Sequence, residues 1–415
     1  MGGKAAILLV LGFSLIFMVA GHNFGNLSTR SVENLAKYYT QTNAHNIAIS
    51  AANMAASNIF FDKNWNTGYT NVPFSNGTFD VSVVTSGTQK KIIAIGSYQD
   101  EHDTIEVILD PSHFSKFGNF YTTMSALPAT GDTFNGPFHT NSSMKTHGTP
   151  VFWGKVTSRY SLKMYGSPKD PKFYGGYESG VNIPLEFDTS GMRFNASTSG
   201  AVFKDTAGLG RKVDVKLKFK ASGNVEYSSM INNDGVWSPP VDTPLVDLSS
   251  NGIIFVEKGN IFVEGTLKGK ATIVASKKGK SGCGNIYQTD NVRYANDPKA
   301  NPNAKDILGM VAEDNIRIKK NPNTLGKDII TQASMFAKNG SIGPDNGLVH
   351  QGTLHSWRIL GGLIAKTTRV TADYNYAGQP TNGLKFVHSY DDRFMNMVPP
   401  SFPHTRYYEI VSWYE

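Results

Sequence analysis

The sequence is poor in cysteine and in charge. Its 415 residues include one cysteine, Cys283, so no disulfide can form within the chain. That excludes the small secreted domains that depend on several disulfides for their stability. Charged residues make up 18 % of the sequence and the net charge is +7. Hydrophobic residues still reach 40 %, which indicates a folded protein of two or three domains and excludes a disordered chain.

The modest positive charge gives little sign of a nucleic-acid partner. Lysines are concentrated between residues 258 and 327, including the pairs Lys277-Lys278 and Lys319-Lys320. We interpret them as the solvated face of a sheet, with a site for DNA or an anionic cell surface as the alternative.

Catalytic and cofactor motifs are also missing. The sequence has no Cys-x-x-Cys-His for covalent haem, no Gly-x-Ser-x-Gly and no His-Glu-x-x-His. Gly279-Lys280-Ser281 resembles the end of a phosphate-binding loop, but Val274 stands where that motif needs a glycine. We therefore expect no enzymatic activity and no cofactor.

Two groups of residues carry side chains that bind metals in other proteins. Residues 232–235 (Asn-Asn-Asp-Gly) offer oxygen ligands suited to calcium, although this is also a common turn sequence. His139 and His147 lie eight residues apart and could meet at a zinc ion. In both places the structural interpretation is the simpler one, so no metal is expected.

No acidic residue occurs before Glu33, and the beginning of the sequence is apolar. Residues 5–21 (AAILLVLGFSLIFMVAG) carry no charge and follow directly on Met-Gly-Gly-Lys. A run of about 17 apolar residues is at the lower limit for a helix that crosses a bilayer. Residues 28–61 contain neither proline nor glycine, so we expect helix to continue as far as Phe61. Between them, residues 21–25 (GHNFG) offer a place where the helix could bend or melt.

The last part of this helix has two faces with the same spacing of four, three and four residues, which keeps side chains on one side of a helix. One face is made of small apolar residues, namely Ala44, Ala48, Ala51 and Ala55. The other face is polar, namely Asn46, Ser50, Asn53 and Ser57. We predict that the alanine face covers one side of a sheet.

The short basic leader, the apolar run and its amphipathic continuation together resemble the N-terminus of a type IV pilin. The resemblance implies that a prepilin peptidase removes residues 1–3 by cutting between Gly3 and Lys4. It also implies that residues 4–61 form a stem helix, which lies in the cytoplasmic membrane before assembly and in the filament core afterwards. The residues expected in the membrane or filament core are Ala5, Leu8, Leu11, Phe13, Ile16, Phe17 and Val19.

The sequence departs from the pilin pattern at one position. Pilins usually carry a glutamate at the fifth position of the mature chain, whereas cleavage after Gly3 places Leu8 there. The missing carboxylate favours a minor or tip position over a main structural subunit. Two alternatives to the pilin interpretation stay open, namely an uncleaved membrane anchor with a helical stalk and a cleaved secretory signal.

The chain beyond the stem is predicted to be rich in β-strands. Apolar or alternating runs between polar turns predict strands at residues 78–85, 90–99 and 104–109, in a meander head that spans residues 62–135. Residues 136–250 are predicted to be β-rich with long loops, and residues 213–220 alternate strictly, as in a half-buried strand. Closely spaced turns between residues 252 and 275 predict that residues 251–415 form a β-solenoid or a sandwich. We expect the ectodomain from about Asn64 onward to be soluble and monomeric on its own.

Several further pieces are similar to the ectodomain of large PilX-type pilus-assembly proteins. They are residues 136–141 (GPFHTN), 306–316 (DILGMVAEDNI), 331–341 (TQASMFAKNGS), 390–394 (YDDRF), 399–403 (PPSFP) and 412–415 (SWYE). In the YDDRF piece, the carboxylates beside the arginine predict a turn capped by an ion pair.

The expected fold class is α+β, with a long N-terminal helix followed by a β-meander and a mainly-β ectodomain. The expected function is a structural pilin-like subunit of an extracellular filament, or of its assembly or tip complex, with other pilin-like subunits as partners. The alternative is a membrane-anchored surface protein or adhesin that does not polymerise. The expected location is the bacterial cell envelope and surface.

Overall fold

The structure is a computed structural model that describes residues 2–186, 189–376 and 379–415. Its contacts divide the chain into two compact units. We call the residues up to Pro111 together with Tyr407–Glu415 the head unit, and Ser112–Arg406 the solenoid unit. Met1 of the expected leader lies outside the described residues. The finer division into five segments stays a prediction of the sequence.

Long and short helices both occur. In chain order they are α1 (Gly2–Phe61), α2 (Thr189–Ser199), α3 (Leu245–Leu248) and α4 (Asn346–Val349).

Strands make up most of the remaining structure. In chain order they are β1 (Tyr69–Phe74), β2 (Gly77–Ser86), β3 (Gln89–Tyr98), β4 (Glu101–His113), β5 (Asn119–Thr123), β6 (Thr133–Phe134), β7 (Phe138–His147), β8 (Val151–Phe152), β9 (Val156–Tyr165), β10 (Lys172–Phe173), β11 (Tyr177–Ser179), β12 (Ala201–Phe203), β13 (Val213–Phe219), β14 (Asn224–Ile231), β15 (Val241–Pro244), β16 (Ile253–Glu257), β17 (Ile261–Leu267), β18 (Lys270–Ser276), β19 (Ile286–Tyr294), β20 (Ile307–Ala312), β21 (Ile316–Ile318), β22 (Ile329–Ala337), β23 (Ile342–Pro344), β24 (Leu354–Thr367), β25 (Ala372–Tyr374), β26 (Pro380–Ser389) and β27 (His404–Tyr414).

The head unit contains a five-stranded sheet with the order β1-β2-β3-β4-β27. Strands β1 to β4 form an antiparallel meander, and β2, β3 and β4 confirm the strands predicted at residues 78–85, 90–99 and 104–109. The chain leaves this sheet after β4 and returns for β27 only at its C-terminal end. The predicted fold class, a long N-terminal helix followed by a mainly-β chain, is confirmed.

The last turns of α1 cover one face of the head sheet. The predicted alanine face is buried, since Ala44, Ala48, Ala51 and Ala55 have no exposed surface. Helix and sheet come so close that a Cβ at Gly96 of β3 would collide with the backbone of Ala44 and Ala48. Small side chains on the helix and a glycine on the sheet permit this approach.

The solenoid unit is a stack of coils whose strands pair in parallel. Its main sheet has the order β12-β16-β18-β20-β22-β24-β5-β7-β9-β11. A second sheet runs β13-β17-β19-β21-β23, and β6, β8 and β10 form a short third sheet. Further pairings close the strands into a circuit. Because the pairing runs in parallel from coil to coil around a packed interior, the unit is a β-solenoid, one of the two architectures predicted.

The chain does not wind through this stack in one direction. It enters at β5, in the middle of the main sheet, and winds outward through β7 and β9 to β11. It then starts again at β12, at the other end of the stack, and winds back until β24 pairs with β5. Two runs of coils therefore meet where Leu363 pairs with Asn119, and we call this place the junction.

Side chains of the main sheet alternate between an inner and an outer core, as the period of two in a strand requires. The outer core is a ladder with one residue from each coil, namely Phe255, Val274, Val311, Phe336, Ile364 and Phe120. Met192 and Ala196 of α2 pack against this ladder, and so does Phe402, whose ring centre lies 6.3 Å from that of Phe336.

A ladder of asparagine side chains lies at one turn of successive coils. Nδ2 of Asn285 donates to Oδ1 of Asn260 over 3.1 Å, and Nδ2 of Asn315 donates to Oδ1 of Asn285 over the same distance. Each of these acceptor oxygens also receives the backbone N–H of the next asparagine. The ladder ends on Asp214 at one side and on Arg317 at the other.

Candidate functional site: the exposed part of the stem helix

The first two thirds of α1 are open to solvent. Residues 3–19 and 21–39 are all exposed, and the apolar side chains of Leu8 and Phe17 are 71 % and 72 % exposed. The most apolar window of this helix has a mean hydropathy of 2.3 and none of it is buried. Within the described residues, α1 is the helix that is long and apolar enough to cross a membrane. A helix with that surface is stable where lipid or other helices replace water.

The residues predicted for the membrane or filament core all lie in this exposed part. At about 100° per residue they are distributed around the whole helix rather than along one stripe. Each of them is exposed, namely Ala5, Leu8, Leu11, Phe13, Ile16, Phe17 and Val19. Such a surface suits immersion in lipid, because no polar side interrupts it.

The predicted processing site lies at the start of the same helix. Gly3 and Lys4 are exposed in the first turn of α1, which carries no acidic residue. Lys4 is the only charged residue before Arg30, so one positive charge borders the apolar run. Leu8 stands one turn further along, with no carboxylate near it in the sequence.

Beyond residue 21 the exposed surface of α1 has two sides. The apolar side chains of Phe24, Leu27, Leu35 and Tyr38 fall on one side, and all four are exposed. The charged residues Arg30, Glu33 and Lys37 fall on the opposite side. The helix passes through residues 21–25 without a break. A glycine costs only about 1 kcal/mol relative to alanine inside a helix, so two glycines need not interrupt it.

His139, one of the histidines considered for zinc, is committed to other contacts. Its Nδ1 is 2.7 Å from the hydroxyl of Thr157 and its Nε2 is 2.8 Å from Oδ1 of Asn141. Burial lowers the pKa of His139 to about 4. His147 lies at the end of β7 beside Gly166. In the parts of the chain that the structure describes, no three His, Cys, Asp or Glu side chains are grouped to hold a metal ion.

Residues 232–235, considered for calcium, form a turn between β14 and β15. Asn232 and Asn233 both have positive φ angles, 60° and 61°, which asparagine tolerates better than most residues. Oδ1 of Asp234 accepts the N–H of Val236 over 2.9 Å, so this carboxylate stabilises the turn itself.

The ion-pair turn predicted near the C-terminus is present. Nη2 of Arg393 lies 2.6 Å from Oδ2 of Asp391. The same guanidinium donates to the carbonyl oxygens of Ala304 and Asp306 and lies 5.2 Å from the ring centre of Tyr294. Arg393 therefore ties the chain after β26 to the coil that begins with β20, which is a structural role.

No family model matches the sequence, and no curated protein matches it. A crystal structure of the competence-associated pilin ComZ from Thermus thermophilus matches at a TM-score of 0.38 and 9 % sequence identity. The match covers 90 % of this chain and 97 % of that chain. Membership of the PilX-type family finds no support in these comparisons and stays a prediction of the sequence.

Proposed function

We propose that the chain is a pilin-like structural subunit of a type IV pilus-like filament or of its assembly or tip complex. One observation carries this proposal. A single continuous helix, α1, is bare and apolar at its beginning and packed on the head sheet at its end. Such a helix can hold a folded head outside the cytoplasmic membrane and later exchange lipid for the helices of neighbouring subunits. The role is physical and not catalytic.

Processing would take place between Gly3 and Lys4. This position is exposed at the start of α1 and directly precedes the apolar run, where a peptidase working at the membrane surface can reach it. Cleavage leaves the α-amino group of Lys4 at the end of the apolar helix. The proposed membrane and filament-core residues, from Ala5 to Val19, then form the beginning of the mature chain.

Assembly cannot be driven by the hydrophobic effect of the apolar run alone. Lipid already shields those side chains from water, so moving them into a helix bundle gains little burial. The remaining contributions are packing between helices and contacts between heads. The side of α1 that carries Phe24, Leu27, Leu35 and Tyr38 is suited to helix packing, because it is apolar, exposed and continuous with the membrane segment.

The absence of a carboxylate at Leu8 favours a minor or tip component. In the pilins that this stem resembles, the glutamate at that place is thought to pair with the terminal amine of a neighbouring subunit. A buried charge is costly unless it is paired. A subunit with leucine there offers no partner to the amine of its neighbour, so it fits best where no such pair is needed.

The N-terminal residue of the mature protein tests the proposal. We expect mass spectrometry of the chain purified from the cell envelope to find Lys4 at the terminus. A form that starts at Met1 would support the alternative, a permanently anchored surface protein or adhesin. A start near residue 22 would contradict both, because the apolar run would then be a cleaved secretory signal.

A further inference from the structure

A cavity of about 210 Å³, partly open to solvent, lies in the solenoid unit at the junction. Its walls come from both runs of coils, from β5 and β6 on one side and from β24 and β26 on the other. The third sheet of the solenoid begins at β6, which pairs with β8. The wall that faces β6 is formed by the loop at residues 368–371, which follows β24, and by the β25–β26 hairpin. The cavity lies between β6 and this loop and hairpin.

Most of the wall is apolar, with aromatic side chains among its largest members, and several of its polar groups are already bonded within the protein. Trp357 and Phe386 meet edge to face, with ring centres 6.0 Å apart. The indole N–H of Trp357 donates to the hydroxyl of Thr331 over 2.8 Å. The hydroxyl of Tyr121 donates to Oδ1 of Asn119 over 3.1 Å. The hydroxyl oxygen of Thr368 accepts backbone N–H groups of the facing loop. These side chains therefore present apolar surface to the cavity.

Asp132 is the acidic residue in this wall, and it keeps one oxygen uncommitted. Oδ2 accepts the N–H of Ala129 over 2.8 Å, whereas Oδ1 has no hydrogen-bond partner among the described residues. Loss of solvation raises the pKa of Asp132 to about 6, and the positive charge of Lys385 opposes this rise. No ion pair joins Asp132 to Lys385 within the described part of the chain.

The arginine in the wall is held elsewhere. Nε of Arg369 donates to the carbonyl oxygen of Pro344 over 2.8 Å, and Nη2 donates to Oδ1 of Asn346 over 2.7 Å. Its charge is therefore anchored to the loop that begins α4. An anionic ligand is disfavoured, because it would lie beside the negative carboxylate of Asp132. A sugar would need a partner for each hydroxyl, and most wall hydroxyls are already bonded.

We propose that this cavity binds a small organic cation, an amine with an apolar or aromatic body. The ammonium group would pair with Oδ1 of Asp132, and the body would lie against Trp357 and Phe386. Aromatic side chains favour such a ligand for two reasons. They bury its apolar part, and the faces of their rings attract a cation. The volume suits a phenethyl-sized body, since a cavity of about 150 Å³ accepts benzene. This inference does not depend on the proposed pilin role.

Three matched probes test the proposal on the full chain in lipid nanodiscs. They are phenethylamine, the neutral 2-phenylethanol and the anionic phenylacetate, each titrated by calorimetry at about pH 7.5. We expect the amine to bind about tenfold more tightly than either other probe. Equal binding of amine and alcohol would overturn the cation assignment, and no saturable binding of any probe would overturn the site. Empty nanodiscs correct for partitioning into lipid.

The variant Asp132→Asn keeps the size of the side chain and removes its charge. We expect it to weaken phenethylamine about tenfold, to leave 2-phenylethanol within about twofold and to melt as a folded protein. Asp170→Asn, at an exposed carboxylate elsewhere in the solenoid unit, should leave all three affinities unchanged. Unchanged amine binding by Asp132→Asn would overturn the proposal.

The dependence of binding on pH gives a second readout. Lys385 and Tyr374 interact electrostatically with the carboxyl of Asp132, and Arg369 is the other charged residue that lines the cavity. Burial raises the pKa of Tyr374 to about 12, so this phenol does not titrate near neutral pH. We expect amine affinity to fall from about pH 7.5 to about pH 5 as Asp132 takes up a proton, and Asp132→Asn to abolish this fall. A fall of the same size in the variant would contradict the role of Asp132.

Discussion

Individual buried residues give the solenoid unit a dependence on pH. His388 is enclosed at the junction, where its Nε2 donates to the carbonyl oxygen of Gly361 over 3.0 Å. Burial lowers the pKa of His388 to about 4, as it does for His139. Between about pH 6.5, the ordinary pKa of histidine, and about pH 4, the unfolded chain binds a proton at His388 and the folded chain does not. The contribution of His388 to the unfolding free energy is therefore fully present above about pH 6.5 and is lost as the pH falls toward about 4. Asp132 acts in the opposite sense, since its raised pKa favours the fold at low pH.

The variant His388→Gln should flatten this dependence. Glutamine can still donate a hydrogen bond to Gly361 but cannot take up a proton. For the wild type we expect His388 to cost about 2 kcal/mol of unfolding free energy between about pH 8 and pH 5. The variant should be less stable at neutral pH and lose less on acidification, measured by urea unfolding at each pH. If both proteins lose the same amount, His388 is not the group that titrates.

Gly96 is the residue on which the packing of α1 against the head sheet depends. Gly96→Val would drive a branched side chain into the backbone of Ala44 and Ala48. We expect a loss of about 2 kcal/mol or more, seen as faster hydrogen exchange of the amides in β2, β3 and β4. Gly25→Ala is the matched control, because nothing lies within 4 Å of the added Cβ. Unchanged exchange in Gly96→Val would show that the helix can move away from the sheet.

At the level of structural elements, the asparagine ladder links successive coils of the second sheet. Asn285 is its central member, because it donates to Asn260 and accepts both the backbone and the side-chain N–H of Asn315. Asn285→Ala removes these bonds and leaves buried partners unsatisfied, so we expect a loss of about 3 kcal/mol in urea unfolding. Asn323→Ala, at an exposed position, should cost less than about 0.5 kcal/mol. If Asn285→Ala loses no more unfolding free energy than Asn323→Ala, water replaces the hydrogen bonds of the ladder.

The ladder could have been predicted, whereas the order of the coils could not. The same pattern, glycine or aspartate followed by Asn-Ile, stands before β17, β19 and β21, at residues 259–261, 284–286 and 314–316. The three copies of this pattern are unequally spaced in the sequence, so a search for a repeat of constant length does not find them. The stem helix and the meander follow local patterns and were predicted well. The β24–β5 junction and the return of β27 to the head are pairings between distant segments, which no local pattern reveals.

At the scale of the whole molecule, the structure changes the expectation for a soluble ectodomain. A chain that begins at Asn64 lacks the part of α1 that covers the head sheet, including Ile47, Ala51 and Ile59. We expect it to expose that apolar face and aggregate, contrary to the expectation from the sequence. A chain that begins at residue 42 keeps the cover and should be monomeric and β-rich by gel filtration and circular dichroism. A monomeric, stable Asn64 form would show that the sheet does not need the helix.

The size of the chain beyond α1 bears on the position proposed for it in a filament. Of 415 residues, 60 form α1, so most of the chain lies beyond this helix. A subunit that repeats along a shaft must fit this bulk at every step, whereas a tip subunit need not.

Antibodies against the solenoid unit, imaged on purified filaments, should therefore label filament ends. Leu8→Glu introduces a carboxylate at the position where pilins usually carry one, and we expect it to shift labelling toward the shaft because the neighbouring amine gains a partner. Leu8→Ala is the control, since it changes size without adding charge, and its labelling should stay at the ends. Wild-type labelling repeated along the whole shaft would contradict the tip role. It would mean that contacts between helices and heads can assemble the filament without the pair.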